Sequence, residues 1–433
     1  MHGILKSVFS EQQREDCSVA GYPGDHGSGG CRGRLTAKIL LLVGFSSWAA
    51  ADESLQPQVT PPLLLAHYMP WYSARPFSSE WGWHWTMNHF NPDEVVSGQR
   101  QIASRYYPLI GPYDSGDPAV IEFHLLTMRM AGIDGVIVDW YGLTDYRDYA
   151  LLHRNTTLVL QCCERLGLKF VICYEDQTIP ALVEAGRLQQ ADRVAHAARE
   201  LAWLAKYWFR SAAYVRQQGR PLLLSFGQTG LTDAEWADCL RQAGTDVEYV
   251  SQHHRRNAAA GAFDWPVPLE AELAWERFMK QFAGQQKCIP VAFPRFVDIY
   301  AEAGAGKGYG LVPDDGGQRF RRQLRLALGS GAAVVQIATW NDWGEGTVVE
   351  PSVEFGYRDL ETVRTLRRSE SPGTSEQPPA AAASDGLRLP LQLLELRRTP
   401  VGQRHTQHCD EIAATIAKGK VELAAAMLRA GVP

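Results

Sequence analysis

Apolar residues in this chain come in short, nearly unbroken runs, and each run is followed by a longer stretch in which they return every three or four positions. Runs at 63–68, 135–139, 170–174 and 221–226 read as strands, because they are too short for buried helices and turn-forming residues bound them. Helical spacing follows at 120–131, 149–166 and 191–217, and Thr232 is expected to cap another helix. Further along, 247–251 and 262–265 predict two weaker strands and 269–282 a helix. A strand at 289–293 precedes a helix at 320–328, and a last strand at 333–339 precedes a helix at 359–367. Eight strands alternating with helices predict an α/β fold, a closed (β/α)8 TIM-type barrel over residues 60–366. An open doubly wound sheet is disfavoured because no glycine-rich phosphate loop follows the first strand. No internal repeat of a solenoid or propeller is visible.

The flanks read differently. Residues 367–385 are rich in Ser, Pro, Glu and Ala and predict a linker, and 386–433 predict a small amphipathic helical appendage that packs on the barrel or on a partner. At the other end, the basic stretch from Arg32 to Lys38, the apolar run 39–45 and the small residues ending at Ala51 form a signal-peptide pattern behind an upstream extension, together residues 1–51. Cleavage there would leave a secreted or periplasmic chain with no membrane span, since the apolar run is too short for an anchor.

Composition narrows the partners. The net charge of −5 is spread along the chain, which argues against nucleic acid. The 13 Trp and 16 Tyr favour a carbohydrate partner, because rings with a polar edge suit the apolar faces of sugars. Of eight cysteines, Cys17 and Cys31 precede the cleavage point, and the other six form no Cys-x-x-Cys pair and read as isolated buried thiols.

Residues just past the C-terminal ends of barrel strands line the active face. Here those places carry His67, Tyr68, Trp71 and Tyr72, then Asp139, Trp140 and Tyr141, then Glu175, and also His253, His254 and Arg295. Trp83 and Trp85 add rings suited to sugar subsites. The last strand runs into Trp340-Asn341-Asp342-Trp343-Gly344-Glu345-Gly346-Thr347, with Glu350 close behind. Cleaving a glycosidic bond needs one carboxylic acid for the leaving oxygen and one carboxylate to deliver or unmask a nucleophile. Asp342 and Glu345 supply that pair, with Trp340, Asn341 and Trp343 as binding walls and two glycines that let the turn fold tightly. Glu175 is suited either to a sugar hydroxyl or to pairing with a core arginine. His67, His84 and His89 fit no local zinc motif, and neither metal nor cofactor is expected.

Several of these segments resemble a known family. Tyr68-Met69-Pro70-Trp71-Tyr72, Trp83-His84-Trp85, the runs 106–111 and 113–118, Asp139-Trp140-Tyr141, Tyr174-Glu175 and the 340–347 motif are together similar to glycoside hydrolase family 99, the endo-α-mannosidases, and its bacterial 71/99-like relatives. The likeness spans about residues 62 to 366. It implies a metal-independent, retaining, endo-acting hydrolase of α-mannosides that passes through a 1,2-anhydro sugar. On that resemblance Asp342 falls on the base that takes the sugar's 2-hydroxyl proton, Glu345 on the acid/base, and Glu175 on a subsite glutamate. This chain departs from the pattern at Asp342, where the family carries glutamate, one methylene or about 1.5 Å longer. The alternatives are an α-1,3-glucanase-like hydrolase, a glycosyltransferase-like polysaccharide protein and a non-catalytic carbohydrate-binding barrel.

Overall fold

The computed structural model describes residues 61–369 and 386–432. The proposed signal peptide at 1–51 lies outside these residues, as does the linker beyond Ser369. Eight parallel strands form the centre: β1 (Leu63–Tyr68), β2 (Gly135–Trp140), β3 (Lys169–Glu175), β4 (Arg220–Phe226), β5 (Glu248–Gln252), β6 (Gly261–Phe263), β7 (Val291–Ala292) and β8 (Val334–Ile337). Their order is β7-β8-β1-β2-β3-β4-β5-β6. A bridge between Phe263 and Ile289 nearly closes the ring, with Ile289 N–H donating to Ala262 O at 2.9 Å and Asp264 N–H to Ile289 O at 3.0 Å. The expected barrel is therefore the fold.

Alternation along the strands makes two cores. Leu65, Ile137, Val171, Leu224, Val250, Val291 and Val334 fill the barrel interior, while Leu64, Val136, Val138, Phe170, Ile172 and Leu223 face the surrounding helices. Gly135 shows how tightly β2 and β3 meet, since a Cβ there would fall 2.0 Å from Lys169 O.

The longer helices are α1 (Pro118–Ala131), α2 (Tyr149–Leu166), α3 (Arg193–Lys206), α4 (Asp233–Ala243), α5 (Ala271–Gln281), α6 (Gln318–Leu328) and α7 (Arg358–Ser369), beside short helical turns at Trp83–Thr86 and Thr178–Glu184. Asp117 caps α1 by accepting from Ala119 N–H, with Pro118 in the first turn, and Thr232 with Glu235 forms a reciprocal capping box on α4. The pattern at 191–217 is shorter as a helix than expected. It ends at Lys206, a single 3-10 turn follows at Trp208–Arg210, and Arg216–Gln217 then pairs antiparallel with the start of β4. Gln218 and Gly219, at φ 51° and 81°, make the tight turn between them. Between β5 and β6 there is no helix, because residues 253–260 are fewer than the roughly ten a helical crossover needs.

Beyond the barrel, α8 (Leu389–Arg398) and α9 (Thr406–Ala417) pack on α1, and α10 (Val421–Ala430) packs on α8 and α9. Leu389, Leu393, Ile412 and Ile416 join the outer core. Buried Glu122 of α1 accepts from Arg397 at 2.6 Å and from Arg165 at 2.7 Å, and so ties α8 and α2 to one carboxylate. Among the described residues no helix is long and apolar enough to cross a membrane, and the six cysteines there are buried and unbridged.

Candidate active site

The turn after β8 is held by its own backbone. Thr339 N–H donates to Thr347 O at 3.0 Å, Val349 N–H returns to Thr339 O at 3.0 Å, and Thr339 Oγ1 accepts from Asp342 N–H at 2.8 Å. Gly346 N–H reaches Asp342 O at 3.0 Å. Gly346 sits at φ 66°, and a Cβ on it would lie 2.8 Å from Val297 O, so the loop after β7 can lie directly on the turn. That loop donates Val297 N–H to Glu345 O at 2.9 Å and Ile299 N–H to Gly344 O at 3.0 Å.

Behind the turn stands a wall of polar groups bonded to one another, although Trp340 Nε1 beside them is unbonded. His124 approaches Tyr68 OH at 3.0 Å through Nδ1 and Glu350 Oε1 at 3.1 Å through Nε2. Glu350 Oε2 accepts from Tyr113 OH at 2.8 Å and from Trp343 Nε1 at 3.2 Å. Asn341 accepts from Met69 N–H at 2.8 Å and donates to Met69 O and Tyr113 OH, while Tyr72 OH donates to Asn341 O and accepts from Trp343 N–H. Trp85 closes the group by donating to Tyr113 O at 2.8 Å. Tyr68, Tyr72, Trp85, Trp340, Asn341 and Trp343 are therefore buried within the wall. Trp140 faces the helices instead, against Trp203 and Trp208, with its Nε1 on His153 at 3.3 Å.

In front of the wall the carboxyl groups gather. Burial pushes Asp342 up to about 7, although the backbone N–H groups of Glu345 and Gly344 favour its charged form, the former at 3.1 Å. Glu345 is partly exposed as a residue, but its carboxyl is crowded by protein; burial first, then the charges of Asp342 and Asp298, push it well above the usual carboxylate range. Asp139 rises to about 8 through burial and then the charge of Asp342. Burial and then Asp139 and Asp176 push Glu175 up as well; Gln177 donates to it at 3.2 Å and no arginine pairs with it among the described residues. The charges of Asp139 and Glu175 are also felt by Tyr141, after burial.

A cleft of about 240 Å³ is lined by Trp71, Ser73, Gly82, Trp83, Arg147, Asp148 and Leu151, with none of the four acids in its walls. Trp71 stacks on His84 with ring centroids 4.2 Å apart and lies 6.4 Å from Tyr141, so aromatic surface leads from the cleft towards the acids. The three histidines considered for zinc are apart: His84 faces Asp148 at 3.4 Å, His89 packs on Phe90, and His67 lies inside the barrel against the edge of Trp265. His253 approaches Asp264 at 3.8 Å, and burial lowers the pKa of His254. Buried Arg295 binds Asp314, Asp359 and Val348 O and stacks on Phe355, and so serves the scaffold.

Comparison with known proteins identifies the lineage. The profile described as "Glycosyl hydrolase family 99" matches residues 62–254. A glycoprotein endo-alpha-1,2-mannosidase of Rattus norvegicus is 34% identical over 336 residues, which cover 68% of this chain and 69% of that protein. The chain belongs to glycosyl hydrolase family 99. It is a glycoside hydrolase. A Mus musculus glycoprotein endo-alpha-1,2-mannosidase is 23% identical over 360 residues, covering 73% of this chain and 74% of that one. The solved GH99 endo-alpha-mannosidase of Bacteroides thetaiotaomicron shares the fold, with a TM-score of 0.56 at 19% identity over 72% of this chain and 99% of that chain. The profile match ends before the 340–347 turn, so the acids there stand on the geometry above.

Two tyrosines of this GH99 barrel escaped the sequence reading. Tyr300 and Tyr309, with centroids 5.7 Å apart, sit on the loop after β7, where the charge of Glu345 raises the pKa of both beyond what burial does. Asp298 pins that loop by accepting from Tyr300 N–H at 3.1 Å and Tyr309 N–H at 2.7 Å. Their position past a barrel strand was the available signal.

Proposed function

We propose that this enzyme hydrolyses internal α-mannosidic linkages with retention of configuration, Asp342 and Glu345 being the reacting pair. The observation that carries the roles is the unequal environment of two adjacent acids. Asp342 receives backbone N–H groups that favour its anion, whereas Glu345 receives Asp342's negative charge, which favours its protonated form. Asp342 is thus the base and Glu345 the acid.

In the first step Asp342 takes the 2-hydroxyl proton of the sugar and O2 attacks C1. The glycosidic bond breaks as Glu345 gives its proton to the departing oxygen. A 1,2-anhydro sugar results. Glu345, now ionised, then takes a proton from water, whose oxygen attacks C1; the C1–O2 bond breaks and O2 recovers its proton from Asp342. Two inversions retain the α configuration. The short Asp342 side chain requires the sugar to sit deeper than a glutamate would. The cleft at Trp71 and Trp83 supplies apolar surface for a neighbouring residue of an internal chain.

The test uses α-manno-oligosaccharides of defined linkage. NMR of the first-formed reducing end should show the α anomer, and a β anomer would sink the mechanism. Glu345→Gln should lower turnover by about 10²-fold or more with binding nearly intact. An unchanged rate would leave the barrel a binding module. The pattern ending at Ala51 makes the enzyme an exported one; N-terminal sequencing of protein from the culture medium or periplasm tests this by finding a start near Asp52.

A further inference from the structure

A second polar cluster lies on the inner face of β1, β2 and β3, and neither the reacting pair nor the wall includes it. His67, Asp139 and Cys173 each offer one ligating atom, and the three atoms all lie within 4.8 Å of one another. The register explains the convergence. Asp139 pairs directly with Cys173 across β2 and β3, so both side chains leave the sheet on the same side. His67 pairs with Ile137, one inward position below Asp139 on the adjoining strand.

The polar atoms of this group lack the partners that buried atoms normally find. His67 is fully buried, and neither Nδ1 nor Nε2 makes a hydrogen bond of good geometry among the described residues. Asp139 is 4% exposed, with Oδ1 unbonded. Gln336 of β8 approaches His67 and already donates its amide to Asp264 O, which leaves its Oε1 unbonded as well. An imidazole with both nitrogens unbonded in a protein interior is rare, and an unseen ligand is one of its ordinary explanations.

We infer that His67, Asp139 and Cys173 form a binding site for a divalent d-block cation, zinc foremost, with Gln336 Oε1 or water in the fourth position. Imidazole, carboxylate and thiolate are together the donor set of zinc, which binds them at roughly 2.0 to 2.3 Å. A tetrahedral ion at those distances holds its ligand atoms about 3.3 to 3.8 Å apart. The present spacing, within 4.8 Å, is wider by at most about 1.5 Å, a gap that side-chain rotation would have to close. Calcium and magnesium are excluded by the thiol and imidazole, since both prefer all-oxygen shells. The ion would lie on the floor of the catalytic cavity, where its charge would offset the crowding of Asp139 against Asp342.

Elemental analysis of the purified full-length protein should find about one equivalent of zinc per chain. Cobalt added to chelator-treated protein should give a thiolate-to-metal charge-transfer band in the near ultraviolet together with intense tetrahedral d–d bands. Cys173→Ser should abolish the charge-transfer band, and His67→Phe should weaken metal affinity by about 10²-fold or more. Cys239→Ser, a buried cysteine outside the cluster, should leave both readouts unchanged, which separates ligation from loss of folding. Wild-type protein that holds no zinc and shows no cobalt band overturns the site, as does a band that survives Cys173→Ser. Neither readout involves glycan turnover, so failure here leaves the glycosidase mechanism standing.

Discussion

The two polar regions at the top of this barrel differ in how their buried groups are treated. In the wall His124, Glu350, Tyr113 and Asn341 meet partners at 2.8 to 3.3 Å, and one carboxylate serves a histidine, a tyrosine and a tryptophan. A few ångströms in front, Asp139, Glu175, Asp342 and Glu345 crowd together with few donors, and their charged forms are disfavoured. Side chains of the same chemistry are thus fixed by partners in one place and left with few partners in the other. A satisfied polar network fixes geometry, and an unsatisfied one costs stability that only a substrate or ion can repay.

Substitutions should separate the two regions by sign as well as size. Asp342→Asn should lower kcat by about 10²- to 10⁴-fold, as measured by mannoside hydrolysis. The same variant should be more resistant to denaturant than the wild type at pH 8. The folded-state pKa of Asp342 lies near 7, above its ordinary value, so its contribution to stability falls as pH rises through that range; the variant escapes the loss. His124→Ala should do the reverse. It leaves Glu350 buried without its histidine and should cost about 3 to 5 kcal/mol in equilibrium denaturation. An unchanged midpoint would mean that the wall does not hold the turn. The smallest effect is in the pH profile. The value of kcat/KM should climb as pH rises through about 7, when Asp342 loses its proton, and fall again at higher pH as Glu345 loses its own. In Asp342→Asn the acid limb should vanish from the residual activity.

The barrel was legible because strands and helices have different apolar periods, and seven of its helices follow directly. Residues 191–217 misled because Tyr207, Trp208 and Phe209 continue a helix-like spacing while they pack around a 3-10 turn. The acids at 342 and 345 were legible from their place past the last strand. Their aromatic neighbours were harder to sort. Strand alternation sends Asp139 into the cavity and Trp140 out to the helices, but the end of a strand gives no such rule for Trp340 or Trp343. Tyr300 and Tyr309 were invisible for another reason: an irregular loop has no period, and only its packing on Gly344 and Gly346 brings it to Glu345.

The C-terminal helices carry a practical meaning for anyone trimming this enzyme. Glu122 shares its charge between α2 and α8, and the apolar side of α1 is roofed by Leu393 and Ile412. A gene shortened to the apparent barrel boundary would unroof that stripe and strip one counter-ion from a sunken carboxylate. The appendage is thus a fixed side wall of the catalytic body, and a truncation behind Ser369 removes it.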